Sequence, residues 1–402
     1  MLPAAKKYDG YRSYSYLEPG KDFKDFDLVP ELDRVPRYEG TVLSEAETER
    51  VVGLLAENIV VSLHEHPTVC PRDMEQYLQL VRTGRERTGY EGLSRSGLTA
   101  VFDNFMDGDC CITSEMGWKW SDVIADLGMR FCDLAHQDYV VRAGSVGEIY
   151  AAKEAGRIAL VPGLEAATMI ENELDRLDIL YGFGVRQMGI AYSEANVLGS
   201  GLKERRDGGL TQFGEKAVRR MNKLGIAIDI SHSGDITGMD VVEHSQKPIF
   251  ITHAGARAVW NIPRMKTDEV IKACASRGGV IGLEAAPHTT ISAAHPKHSI
   301  ESVMDHFEYL VGLVGVDHVA FGPDTLFGDH VALHDLSAER LSIGAAHGDM
   351  AYERVAYVEG LENPAECFWN ITSWLVKHSY SDSDIAAVLG GNIMRVLSEV
   401  WV

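Results

Sequence analysis

The run LHEHP sets two imidazoles, His64 and His66, two residues apart at the end of an apolar stretch. Neutral imidazole is a ready ligand for zinc and similar ions. If the stretch is a strand, residues i and i+2 face the same side, so both rings are offered to one centre. Chemically compatible residues stand at the ends of other apolar runs: Glu165 in PGLEAA, His232 in DISHSG, His253 in FITHAG and Asp324 in FGPDT. A carboxylate has two oxygens and can bridge two ions, which is the role that suits Glu165. His232 and His253 would then complete the shell of a second ion. Two such ions, about 3.5–4 Å apart, hold and acidify a bridging water near neutral pH. Asp324 would take a proton from that water and pass it to a leaving amine. Each residue also has a plainer reading. Glu165 could favour a helix start, His232 could cap a helix, and His253 and Asp324 could be turn residues. Their joint placement at five run ends, with four of the 15 histidines of the chain among them, sets the metal reading above those alternatives.

Something must bring these run ends together. Eight short β-rich runs recur, spanning residues 58–64, 98–105, 157–165, 185–192, 225–232, 248–253, 278–285 and 318–324. They are almost continuously apolar, the pattern of strands covered on both faces of a parallel sheet. Helical stretches separate them. Residues 211–225 open on Thr211 and close on a glycine, and residues 299–315 do the same from Ser299. Eight strand–helix alternations predict a (β/α)8 barrel of the TIM type, in which chemistry gathers at the C-terminal strand ends. A doubly wound open sheet is the alternative, but no G-x-G-x-x-G follows the first strand to favour it.

The 402 residues therefore divide into an N-terminal arm or cap at 1–42 and a single barrel domain at 43–402. The arm is rich in Tyr, Asp and Lys and is expected to pack on the body or on a neighbouring subunit of a homo-oligomer. A hydrophobic content of 45% and a charged content of 24% are ordinary for a globular enzyme. The net charge of −21 argues against nucleic acid or an anionic membrane as partner. No apolar stretch approaches the ~20 residues of a membrane span, and residues 1–20 lack the apolar core of a secretory leader. The six scattered cysteines show no CxxC spacing and suit free thiols. The expectation is a cytoplasmic enzyme.

Several long stretches carry a family resemblance: GLTQFGEKAVRRMNKLGIAIDISHSG, PIFITHAGARAV, GLENPAE and AVLGGNIMRVL. From about residue 57 to 397 the chain resembles the membrane (renal) dipeptidase family of zinc metallopeptidases, on an amidohydrolase-like barrel. The resemblance implies two zinc ions held by His64, His66, Glu165, His232 and His253, with Asp324 as the catalytic aspartate. It also implies that Arg264, in NIPRMKTDEV, grips a substrate carboxylate, a role that fits the forked guanidinium.

Three positions depart from the family pattern. His66 stands where the family has an aspartate, Tyr192 where it has a histidine on the substrate carbonyl, and Met265 where an asparagine follows the arginine. Tyr192 can still donate to an oxyanion. The resemblance thus implies a divergent hydrolase acting on an amide bond of a small carboxylate-bearing substrate or dipeptide. The alternatives are a one-metal amidohydrolase-type lyase or decarboxylase, and a non-catalytic metal-containing binding barrel. Trp118, Trp120, His288, His295, His298, His330, His334 and Asp335 are candidates for pocket walls or a lid.

Overall fold

A computed structural model describes residues 7–32, 38, 40–105, 118–287, 289–341 and 355–402. Each of the eight predicted runs contributes one strand of a parallel sheet. In chain order they are β1 (Val61–Glu65), β2 (Ala100–Asn104), β3 (Ile158–Leu164), β4 (Gln187–Gly189), β5 (Ala227–Asp229), β6 (Phe250–Ala254), β7 (Val280–Leu283) and β8 (Val319–Phe321). Neighbours in sequence are neighbours in the sheet. The two ends of the sheet meet above the last strand. Asp324 donates its backbone N–H to the carbonyl of His64 at 3.1 Å, and His66 donates to that of Thr325 at 3.0 Å. A nearly closed (β/α)8 barrel results. A short extra strand, Val140–Arg142, pairs with the lower half of β3.

Strand alternation explains where the polar residues fall. Phe102, Val161, Val280 and Ala320 belong to one apolar cluster, closed from below by the helix Asn392–Val400. Stepping by two residues from each leads to Asn104, Glu165, Glu284 and Asp324 on the same face. In β1 the pairing with β2 slips between Ser62 and Glu65. That irregularity resets the alternation, so His64 and His66 follow Leu63 into the barrel. Strand ends approach closely here: a Cβ on Gly189 would lie 1.8 Å from the carbonyl oxygen of Glu165. Only glycine fits that position.

The helices end where their residues specify. The helix Gln212–Leu224 starts after Thr211, whose side chain accepts from the Gly214 N–H, and stops at Gly225 with φ of 80°. Helix Ile300–Val314 begins after Ser299 and ends at Gly315. Among the described residues no helix is long and apolar enough to cross a membrane. Cys70, Cys132, Cys274 and Cys367 are free thiols, while Cys110 and Cys111 lie outside the described residues.

Of the arm, residues 7–32 lie on the body of the same chain. The anchor is Asp133, buried in the helix Trp120–Leu134. It accepts from the Tyr11 hydroxyl and the Tyr14 backbone N–H, both at 2.7 Å, and from the Tyr90 hydroxyl at 2.9 Å. Removing this acceptor strands several part-buried donors, each worth about 1–3 kcal/mol. Asp133→Ala should therefore lose about 3 kcal/mol of stability in urea unfolding and expose residues 7–32 to protease. A loss below about 0.5 kcal/mol, the range of ordinary surface changes, would show that the arm is held in another way.

Candidate metal centre

The six predicted residues at the strand ends converge on one buried point, with exposures between 0% and 8%. Their donor atoms gather about the two oxygens of Glu165, and His64 and His253, whose rings stack at 3.5 Å, join the two sides. On one side, His64 Nε2 and His66 Nε2 are 3.3 Å apart, and Glu165 Oε1 lies 3.8 and 3.2 Å from them. Asp324 Oδ1 joins this group, 3.3 Å from His64 Nε2 and 3.2 Å from His66 Nε2. On the other side, His232 Nε2 and His253 Nε2 are 2.9 Å apart, with Glu165 Oε2 at 3.2 and 3.9 Å. Ligands around a tetrahedral zinc ion, with bonds near 2.0–2.1 Å, are about 3.3 Å from one another. The observed separations straddle that value on both sides of Glu165, so the donor set fits metal ions.

For His66 and His253 the far side of the ring shows which nitrogen is free to ligate. His66 Nδ1 lies 3.1 Å from the backbone carbonyl of Asn104, which can only accept. Nδ1 therefore carries the proton, and the Nε2 lone pair faces the centre. His64 Nδ1 is 2.8 Å from the side-chain amide of the same Asn104.

For His253 the chain of bonds is longer. The Thr252 hydroxyl donates to Asp229 Oδ2 at 2.7 Å and so accepts from His253 Nδ1 at 2.8 Å. Asp229 Oδ1 also accepts from the Ser231 hydroxyl at 2.6 Å and from the Thr252 backbone N–H at 2.9 Å. Ser231 Oγ in turn accepts from the backbone N–H of His253 at 3.1 Å. One buried carboxylate thus ties together the ends of β5 and β6. Among the described residues, Nδ1 of His232 has no hydrogen-bond partner.

Electrostatics favour neutral His232 and His253 rings beside ionised acids. Burial pushes His232 down to about 4 and His253 well below its ordinary value, helped by nearby positive charge from Arg264. Burial opposes ionisation of Glu165, yet the His232 and His66 rings hold its carboxyl well below the usual range. For Asp324, burial is likewise outweighed, by His330 and by His64 and His66. Asp324 also adopts φ of +60°, a left-handed conformation uncommon outside glycine. Such strain tends to collect at functional positions.

The remaining candidates are placed as follows. The Tyr192 ring stacks on His232 at 3.9 Å, and Trp118 packs against Tyr192 at 5.7 Å. Trp120 lies under the Arg176 guanidinium at 4.8 Å. His298 is buried, whereas His295 forms a half-exposed pair with Asp305 at 2.8 Å. His330 is buried with its ring 4.5 Å from that of His334, and Asp335 is exposed on the same helix. His288 lies outside the described residues.

Arg264 is already engaged by the protein. It is 2.5 Å from Glu284 Oε2 and donates to the His253 carbonyl at 2.9 Å. Asn104, Asp229, Thr252 and Glu284 were not singled out in the sequence. Asn104 and Glu284 close the second and seventh apolar runs, so reading all eight run ends alike would have found them.

Fold and donor set together define a (β/α)8 barrel whose mouth can hold metal ions. The sequence model of the membrane dipeptidase family (peptidase family M19) matches residues 125–340, more than half of the chain. The chain belongs to that family. The dipeptidase aclJ of Aspergillus oryzae is 26% identical over 278 residues, 67% of this chain and 60% of that relative. The chain thus spans less than two thirds of that relative's length. Among solved structures, an amidohydrolase from Pseudomonas aeruginosa superposes with a TM-score of 0.72 at 24% identity. That match covers 87% of this chain and 99% of the other. A Rhodobacter sphaeroides metallopeptidase liganded with a phosphinate mimic of L-Ala-D-Ala gives 0.65 at 18% identity, covering 86% and 100%.

Two tests follow from this geometry. Thr252→Val removes the acceptor for His253 Nδ1 and should weaken metal binding about 10–100-fold in chelator competition, the usual effect of losing such a partner. Thr252→Ser should keep wild-type affinity, and equal affinities in both variants would contradict the relay.

The second test concerns Lys266, which is buried, donates to the Ser233 carbonyl at 2.6 Å, and is pushed by burial from 10.5 to about 7. Its folded value lies below the unfolded one. Its contribution is therefore complete only above about pH 10.5 and is lost as pH falls to about 7. Lys266→Met should accordingly gain stability relative to wild type as pH drops from 10.5 to 7, then hold that gain. A stability difference independent of pH across that window would refute it.

Proposed function

We propose that the protein is a metal-dependent hydrolase that cleaves the amide bond of a small, dipeptide-like substrate bearing a carboxylate, with two zinc ions as cofactor. One observation carries this reading. Glu165 turns one oxygen to the His64–His66 pair and the other to the His232–His253 pair. A structural metal needs one closed shell, whereas a carboxylate between two histidine pairs suits two ions sharing a ligand. Bound there, the ions would supply Lewis acidity and lower the pKa of water.

The residues of the chain supply the rest. His64, His66 and His253 present nitrogens held in place by their Nδ1 partners, while the His232 ring is held by stacking against Tyr192. Asp324, ionised and beside the first pair, accepts the proton of the attacking water and returns it to the leaving amine. Tyr192, fixed by stacking on His232, donates its phenol to the oxyanion that forms. The near-complete burial of the donors keeps competing water away.

Metal analysis of protein purified without chelator should give close to two zinc ions per chain. A single ion would favour the one-metal alternative. Asp324→Asn should lose about 10²–10⁴-fold in kcat on dipeptides, the range for a general acid–base group, while still binding metal. Full activity in that variant would remove Asp324 from the proton path.

A further inference from the structure

The wall of the mouth between β5 and β7 carries two buried cations, and the protein itself engages both. Lys266 sits on the Ser233 carbonyl. Arg264 is held on three sides: Nη2 donates to the His253 carbonyl, Nη1 lies 3.4 Å from the Ser231 carbonyl, and Glu284 Oε2 is 2.5 Å from Nη2. The two side chains of the ion pair are 5% and 0% exposed. Glu284 follows β7 in the same inward alternation that places Asp324 after β8. It is therefore part of the ring of strand-end groups around the centre.

A guanidinium has five N–H donors, so Arg264 keeps donors for a substrate oxygen. What the ionised Glu284 removes is the uncompensated charge, in full only above about pH 7, to which burial pushes its carboxyl against the pull of Arg264. A cation already paired inside the barrel gains little from a second carboxylate, because most of the attraction is spent on the first. Its remaining N–H groups bond a carboxylate oxygen and an amide or ester carbonyl almost alike.

We propose that Glu284 is a specificity-determining residue: by neutralising Arg264 it lets the site accept substrates whose carboxyl end is an uncharged carboxamide or ester as readily as a free carboxylate. The assignment rests on the amide-hydrolase reading and extends its substrate class. Peptides with a masked carboxyl end become substrates beside free dipeptides.

The test compares a dipeptide with its C-terminal carboxamide on the zinc-loaded enzyme, with peptide-bond products identified chromatographically. In the wild type, kcat/KM for the two should agree within about tenfold. Glu284→Gln leaves Arg264 with an uncompensated charge, so the preference for the free carboxylate should rise at least about tenfold, through KM. A wild-type preference for the carboxylate above about 100-fold overturns the proposal, and so does an unchanged ratio in Glu284→Gln. If that variant does not fold, the wild-type ratio alone decides. If neither peptide is cleaved, the hydrolase reading fails, and thermal shifts with alanine and alaninamide decide this proposal separately. Equal shifts in the wild type support it, and a shift with alanine alone overturns it.

Discussion

A carboxylate buried at the centre of a barrel is unfavourable by several kcal/mol unless something compensates it. Glu165 is such a group, and much of the mouth is arranged around it. Its two oxygens face two histidine pairs that come from three different strands, β1, β5 and β6. Only cations balance the combined charge of Glu165 and Asp324. The geometry is thus that of a cavity shaped for positive ions, and the barrel is the frame that holds six donors from five strand ends within reach of them.

Positioning falls to residues that never touch the centre directly. Asn104 serves both rings of the first pair, the side chain toward His64 and the carbonyl toward His66. Asp229 serves His253 of the second pair through Thr252 and Ser231. Each fixes a ring orientation, and for His66 and His253 a tautomer, which is how partners beyond the ligands tune a metal site. The bulge in β1 is part of the same arrangement. Without the slip between Ser62 and Glu65, strict alternation after Leu63 would point Glu65 inward and turn His64 away. Glu65 instead accepts from the Thr325 hydroxyl and backbone N–H at 2.8 Å, joining β1 to the loop after β8.

The eight strands were legible in the sequence because a parallel barrel buries both strand faces, so each strand reads as a compact apolar run. The candidate ligands were legible because their residue types are rare and fall at the run ends. Asn104 and Glu284 were passed over because a polar residue closing an apolar run reads as the start of a turn. Asp229 was hidden for another reason: its partners Ser231 and Thr252 lie on two strands, 2 and 23 residues away, and no spacing rule links them. Arg264 shows the same limit. Its type suggested a free grip on a substrate, while its partner Glu284 arrives from the next strand of the barrel.

In the proposed hydrolase Glu165 stands between two ions. This placement is tested most directly by crystals of zinc-loaded protein, with anomalous difference maps recorded above and below the zinc absorption edge. Two peaks about 3.5–4 Å apart are expected, one beside His64 and His66 and one beside His232 and His253, each touching Glu165. A single peak, or two peaks of which neither touches Glu165, would contradict it.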